Sequence, residues 1–149
     1  MTDSNTTQPI EQDIVRAVIG NVHDVMEGEW DNREWVHLFT DVEIDPRGTQ
    51  TSSVTFALAR KPGGPLEDIS FRLPREAKKR LNDLAEAMRQ PGGDRWSSAQ
   101  LRIEQDGRYA FSFSYDPPIR LGGDLLDKRF DDYLPRWLET PEGARFAAT

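Results

Sequence analysis

The sequence predicts an α+β fold: one antiparallel sheet of four or five strands with helices packed on one face, in the order α-β-β-(β)-α-β-β-α. Three observations carry this reading. Two separate stretches alternate apolar and polar residues on either side of a turn, at 34–59 and 97–115. Three other stretches space their apolar residues at helical intervals. Strands that are neighbours in sequence tend to pair, and hairpins generate antiparallel sheets. The layered solution that buries both kinds of apolar stripe is helices against a sheet.

The elements follow in order. Residues 1–8 are polar and read as a tail. From Ile10, the positions Ile14, Val18, Val22 and Val25 recur at helical spacing, which predicts a helix over 10–27 that stops at Gly28. In 34–44, Val36, Leu38, Val42 and Ile44 share even positions, while Trp35, His37 and Phe39 share odd ones. Asp45–Gly48 is turn material. Val54, Phe56 and Leu58 then mark a second strand that pairs back on the first. Ile69, Phe71 and Leu73 predict a short third strand, and Pro74 suits the first position of a helix. Ala77, Leu81, Leu84 and Met88 line one side of that helix, over about 75–90.

The second hairpin carries the clearest signal. Leu101 and Ile103 precede Asp106-Gly107, and Tyr109, Phe111, Phe113 and Tyr115 follow on one face. An Asp-Gly pair between two alternating runs is a strong hairpin signature, because glycine supplies the positive φ of the turn. Tyr109, Phe111 and Phe113 are expected to be mostly buried, sharing a core with Ile14, Val18, Leu81 and Leu84. Beyond Pro117-Pro118, the residues Leu126, Phe130, Tyr133, Leu134, Trp137 and Leu138 follow a helical stripe. Pro135 breaks it into two short pieces or a kink. Residues 141–149 read as a loose tail.

Composition bounds the function. The chain has 149 residues, suited to a single domain, with 30% charged and 36% hydrophobic residues. No apolar run approaches the ~20 residues needed to span a bilayer. The polar, acidic N-terminus lacks the pattern of a secretory signal, so the expected location is cytoplasmic. There is no cysteine, hence no disulfide framework or thiolate metal site. A net charge of −7 argues against a nucleic acid or an anionic membrane as partner and favours a basic one. The basic spots Arg75, Lys78, Lys79 and Arg80 share their helix with Glu76, Asp83 and Glu86 and read as a solvated face.

Catalytic signatures are not found. The two histidines, His23 and His37, lack the spacing of a zinc site, so no metal or cofactor is implied. The serines sit in loops and strands without a nucleophile elbow. Carboxylate pairs, such as Asp116 with Asp131 or Asp132, are what 26 acidic residues produce by chance. The expected partner-binding residues are Trp35 and Phe39 with the neighbouring carboxylates Asp41 and Glu43. Exposed aromatics rimmed by charge suit protein contacts. Coverage of these aromatics by the C-terminal segment is the alternative disposition.

One family resemblance rests on particular residues. Trp96 opens a strand, Leu101 and Ile103 continue it, and Asp106-Gly107 forms the turn. Phe113-Ser114-Tyr115-Asp116 closes the return strand, and Asp131, Asp132, Tyr133 and Trp137 make an acidic-aromatic region beyond it. In these features residues 74–138 resemble the YezG-like antitoxin or immunity protein family. Pro117-Pro118 and Gly122-Gly123 depart from that pattern. The resemblance implies a non-enzymatic antitoxin or immunity protein that neutralises a cognate toxin, such as a basic nuclease domain, by occlusion. Two other classes remain open: a small-molecule-binding or enzymatic α+β domain with a cleft between sheet and C-terminal helix, and a structural or adaptor domain dimerising through its aromatic face.

Overall fold

The computed structural model describes residues 3–26 and 33–147. Its elements are α1 (Asp3–Met26), β1 (Glu34–Ile44), β2 (Thr51–Arg60), β3 (Glu67–Ser70), α2 (Arg75–Met88), β4 (Ser98–Glu104), β5 (Tyr109–Ser114), α3 (Tyr133–Trp137) and α4 (Pro141–Ala147). The five strands form one antiparallel sheet in the order β3-β2-β1-β4-β5. This is the α+β class and element order the sequence predicts.

β1 is central, and this decides what the two faces hold. α1 and α2 cover one face, where Ile14, Val18, Val22, Leu81 and Leu84 pack on Leu38, Val42, Leu101 and Ile103. Arg80, read as part of a solvated face, ties the two helices by bonding Asp13 on α1 at 2.8 Å and Asp83 at 2.9 Å. The opposite face has its own apolar cluster, in which Val36, Phe39, Phe56 and Leu58 meet Tyr133 and Trp137 of the C-terminal segment. The two long helices therefore cover one face, and the C-terminal layer, with the short α3 and α4, covers part of the other.

A β-bulge crosses the simple alternation of β1. Trp35 pairs with Ala59 and His37 with Leu58, so Val36 is the extra residue. The bulge sends Trp35 to the helical face and Val36 to the opposite one. The parity read from the sequence holds from His37 onward and reverses before it.

Several boundaries differ from expectation. Residues 3–8, read as a tail, extend α1 through Pro9, and Thr7 is buried. Gly28 and the side chains of His23 and Val25 lie outside the described residues. β3 ends at Ser70, so Phe71 and Leu73 follow it, with Leu73 buried beneath the helices. Pro74 has an extended conformation and immediately precedes α2 instead of occupying its first position. Residues 126–132 form turns, with only Tyr133–Trp137 helical, and Leu126 is exposed. Residues 141–147, read as loose, form α4. Gly143 lets α4 close onto α3, since a Cβ there would overlap the Trp137 carbonyl oxygen.

The second hairpin is as predicted, with Gly107 at φ 92° and Glu104 N–H donating to the Arg108 carbonyl at 2.8 Å. Tyr109, Phe111 and Phe113 pack against the helical core but are only half-buried. β5 is an edge strand, so its aromatics have neighbours on one side alone.

Candidate functional site

The C-terminal layer rests on rows of side chains that cross the sheet. His37 lies between Leu58 and Glu104, Phe39 between Phe56 and Arg102, Asp41 between Val54 and Gln100, and Glu43 between Ser52 and Ser98. Along β1 the rows change from aromatic at His37 and Phe39, beside Leu58 and Phe56, to charged at Asp41 and Glu43, beside Val54 and Ser52. The C-terminal segment follows this change, with its aromatics over the first part and an ion network over the second.

Over the apolar part, the rings of Phe39 and Tyr133 approach to 4.6 Å, and Phe130 packs on Phe39 at 5.0 Å. The buried imidazole of His37 joins this cluster to Glu104 on β4. Its Nε2 is 2.7 Å from the Tyr133 hydroxyl and its Nδ1 is 3.1 Å from Glu104 Oε1. An ionised carboxylate only accepts, so Nδ1–H donates to Glu104 and Nε2 accepts from Tyr133. Burial raises the Tyr133 phenol to about 12, with Arg102 acting in the opposite direction.

Over the polar part lies a buried ion network. Arg120 donates to Asp41 Oδ1 at 2.8 Å, to Asp127 Oδ2 at 2.7 Å and to Ser52 Oγ at 2.8 Å. Glu43 accepts the backbone N–H groups of Ile119 at 3.0 Å and Leu121 at 2.9 Å, pinning the chain beside Arg120. Arg129 closes the network by binding Asp127 at 2.8 Å, with Asp41 and Glu43 each 3.7 Å away. The bonds from Arg129 hold the Asp127 carboxyl far below the ordinary carboxylate range, and the same contact raises Arg129.

The four expected partner-binding residues are thus placed inside the molecule. Trp35 is buried on the helical face, Phe39 lies beneath Phe130 and Tyr133, and Asp41 and Glu43 are 1% exposed within the ion network. Their expected exposure is overturned for two reasons: the bulge at Val36 turns Trp35 inward, and the C-terminal layer covers the others. Asp41 and Glu43 anchor a loop instead of forming a rim.

The anchored loop displays what the sequence reading missed. Leu125 and Leu126 are 82% and 77% exposed, and among the described residues Tyr115 is the other exposed large apolar side chain. Exposed Asp124, Asp131 and Asp132 lie close by in sequence, and Asp124 accepts the Leu126 N–H at 3.2 Å. The tip is apolar, with exposed Lys128 as well as these carboxylates near it in sequence, while its root is fixed by Arg120 and Asp127. The available signal was the Gly-Gly-Asp-Leu-Leu run, whose glycines break the helical stripe before Leu126.

Clefts flank the layer. One of about 280 Å3 is lined by Gln100, Ser112, Ser114, Pro118 and Arg129. A second of about 200 Å3 is lined by His37, Arg102, Glu104, Tyr133, Arg136 and Trp137. A groove of about 550 Å3 runs past Trp96, Arg95 and Tyr115 at the end of the sheet. Among the described residues, no group of three or more His, Asp or Glu side chains is arranged to hold a metal ion, and no helix is long and apolar enough to cross a membrane. In comparisons with known proteins, no family model matches this chain, and no curated protein is similar to it.

Proposed function

We propose that this chain is a non-enzymatic binding protein that occludes a basic domain of another protein, in the manner of an antitoxin or immunity protein. The observation that carries this reading is the exposed Leu125-Leu126 tip, held out on a loop whose root is locked. Adjacent leucines in water are unfavourable for a free protein and favourable once a partner covers them. A rigid root lowers the ordering cost of binding. The net charge of −7 suits a cationic surface and speeds encounter with it. The resemblance of residues 74–138 to the YezG-like family supports the same reading.

The test is titration calorimetry against any purified basic toxin domain that a neighbouring gene encodes. Replacing Leu125 and Leu126 together by Ser should weaken binding about tenfold or more, and added salt should weaken it further. The fold should be unaffected, with stability unchanged within about 0.5 kcal/mol. Unaltered affinity in the double variant would remove the tip from the interface.

A second reading draws on the cleft beside His37. The Glu104–His37–Tyr133 chain ends at a small opening that also presents Arg102 and Arg136, groups that suit a small anionic ligand. The Leu125/Leu126 variant leaves such a ligand's binding intact, whereas Arg102→Ala abolishes it.

A further inference from the structure

The two edges of the sheet are treated differently. β3 is four residues long and carries Glu67 and Asp68, the short charged form that discourages further pairing. β5 is six residues long and reads Tyr-Ala-Phe-Ser-Phe-Ser, with neither charge nor proline. Among the described residues its only strand partner is β4. The Glu104 N–H to Arg108 carbonyl bond fixes the parity of the β4–β5 ladder. Alternation of the antiparallel ladder then turns the backbone N–H and C=O groups of Tyr109, Phe111 and Phe113 outward. An edge of this kind is a template for another strand.

We infer that two copies of this chain pair antiparallel through β5, about a two-fold axis at Ser112, so that their sheets become continuous. The argument for a second copy is self-complementarity. With Ser112 opposite its own counterpart, Phe111 meets Phe113 of the other copy, and Ala110 meets Ser114. Tyr109 meets Tyr115, which is 60% exposed in the single chain. Arg108, which bonds Asp106 in its own turn at 2.8 Å, and Asp116 flank the strand and come opposite each other, and by symmetry this opposite-charge pair occurs twice. In this register the outward backbone groups of Phe111 face those of Phe113, as an antiparallel ladder requires. The register that centres on Phe111 instead sets Arg108 against Ser114 and makes no opposite-charge pair at the strand ends, so charge favours the Ser112-centred pairing. The strand shares no residue with the Leu125-Leu126 loop, so the inference does not depend on the toxin-binding reading.

The test is sedimentation velocity on the full chain across the micromolar range. The expected result is a dimer that dissociates on dilution. Ser112 is exposed, so Ser112→Lys sets two like charges against each other at the axis without touching the core. It should raise the dissociation constant about tenfold or more at an unchanged melting temperature, while Ser112→Thr should leave the dimer intact. Arg108→Asp and Asp116→Arg should each weaken the dimer, and the two together should restore it. A wild-type chain that stays monomeric overturns the inference. So does a dimer indifferent to Ser112→Lys, or a double reversal as weak as the single changes. A monomer whose binding to a toxin domain is lost in Ser112→Lys assigns the edge to that partner and overturns it as well.

Discussion

On the helical face, β1 and β4 meet α1 and α2 through Leu38, Val42, Leu101 and Ile103, all apolar. On the opposite face β1 meets the C-terminal layer through His37, Asp41 and Glu43, themselves braced by Glu104 and Gln100 of β4, with apolar help from Phe39. The helical contact is held by area and shape, which many combinations of side chains satisfy. The C-terminal contact is held by pairings that work only when every partner is present, because a buried charge without its counterpart costs several kcal/mol. The helical face gives stability that tolerates substitution. The other face gives position, fixing the loop root to within a hydrogen bond's tolerance.

This contrast can be broken or sharpened by experiment. The largest effect is expected at Arg120. Arg120→Met keeps much of the volume but takes from Asp41 its charged partner at 2.8 Å and leaves Asp127 with Arg129 alone, and should cost about 3–5 kcal/mol in urea unfolding. Leu81→Ala beneath the helices should cost about 2–5 kcal/mol. Restoring an apolar match, with Asp127→Leu added to Arg120→Met, should recover part of the loss. A cost below about 1 kcal/mol for Arg120→Met would show that the layer is held by its apolar contacts alone.

The next effect is pH dependence. The folded state holds the Tyr133 proton more tightly than the unfolded chain does. Its contribution is therefore complete below the ordinary tyrosine value of 10.0 and is lost as pH rises through about 12. The loss should be on the order of 2–3 kcal/mol and should vanish in Tyr133→Phe. Asp127 has the opposite sign. Its carboxyl is depressed, so its contribution is complete above the ordinary value of 3.8 and falls away as pH drops toward the lower folded value. Melting temperatures across the two limbs check both. The smallest effect in this series belongs to Phe111→Ala. A half-buried edge position should lose about 1–2 kcal/mol, less than a fully buried phenylalanine. A loss above about 3 kcal/mol would mean that β5 is covered in solution, as pairing with a second copy would make it.

The helical face was legible because its signals are local. Val18, Leu81 and Ile103 fall on periods that a single element sets, and Asp106-Gly107 specifies its own turn. The opposite face depends on information no local window contains. That β1 lies at the centre of the sheet follows from pairing with β4 some sixty residues on, and only this makes Asp41 and Glu43 interior positions. Two carboxylates in a strand read as a solvent edge until Arg120 and Arg129 are known to reach them. The bulge at Val36 was equally invisible, since the apolar alternation of 34–39 fits either parity. The Leu126 miss has a different origin: an apolar residue that continues a periodic stripe was assigned to it, although Gly122-Gly123 and the turns after them end the period.

The span between His37 and Tyr133, 96 residues apart, sets an order of events in synthesis. The footholds of the C-terminal layer come from β1, β2 and β4 together, so the layer docks only after β4 has joined the sheet. Closing so long a loop adds an entropic cost that local hairpins do not incur. As the chain leaves the ribosome, Phe39, Phe56 and Leu58 are therefore bare until residues 117–147 emerge. Asp41 and Glu43 lie beside them in that interval, two like charges on the strand most open to wrong partners. They act then as gatekeepers against association, before Arg120 arrives to neutralise them.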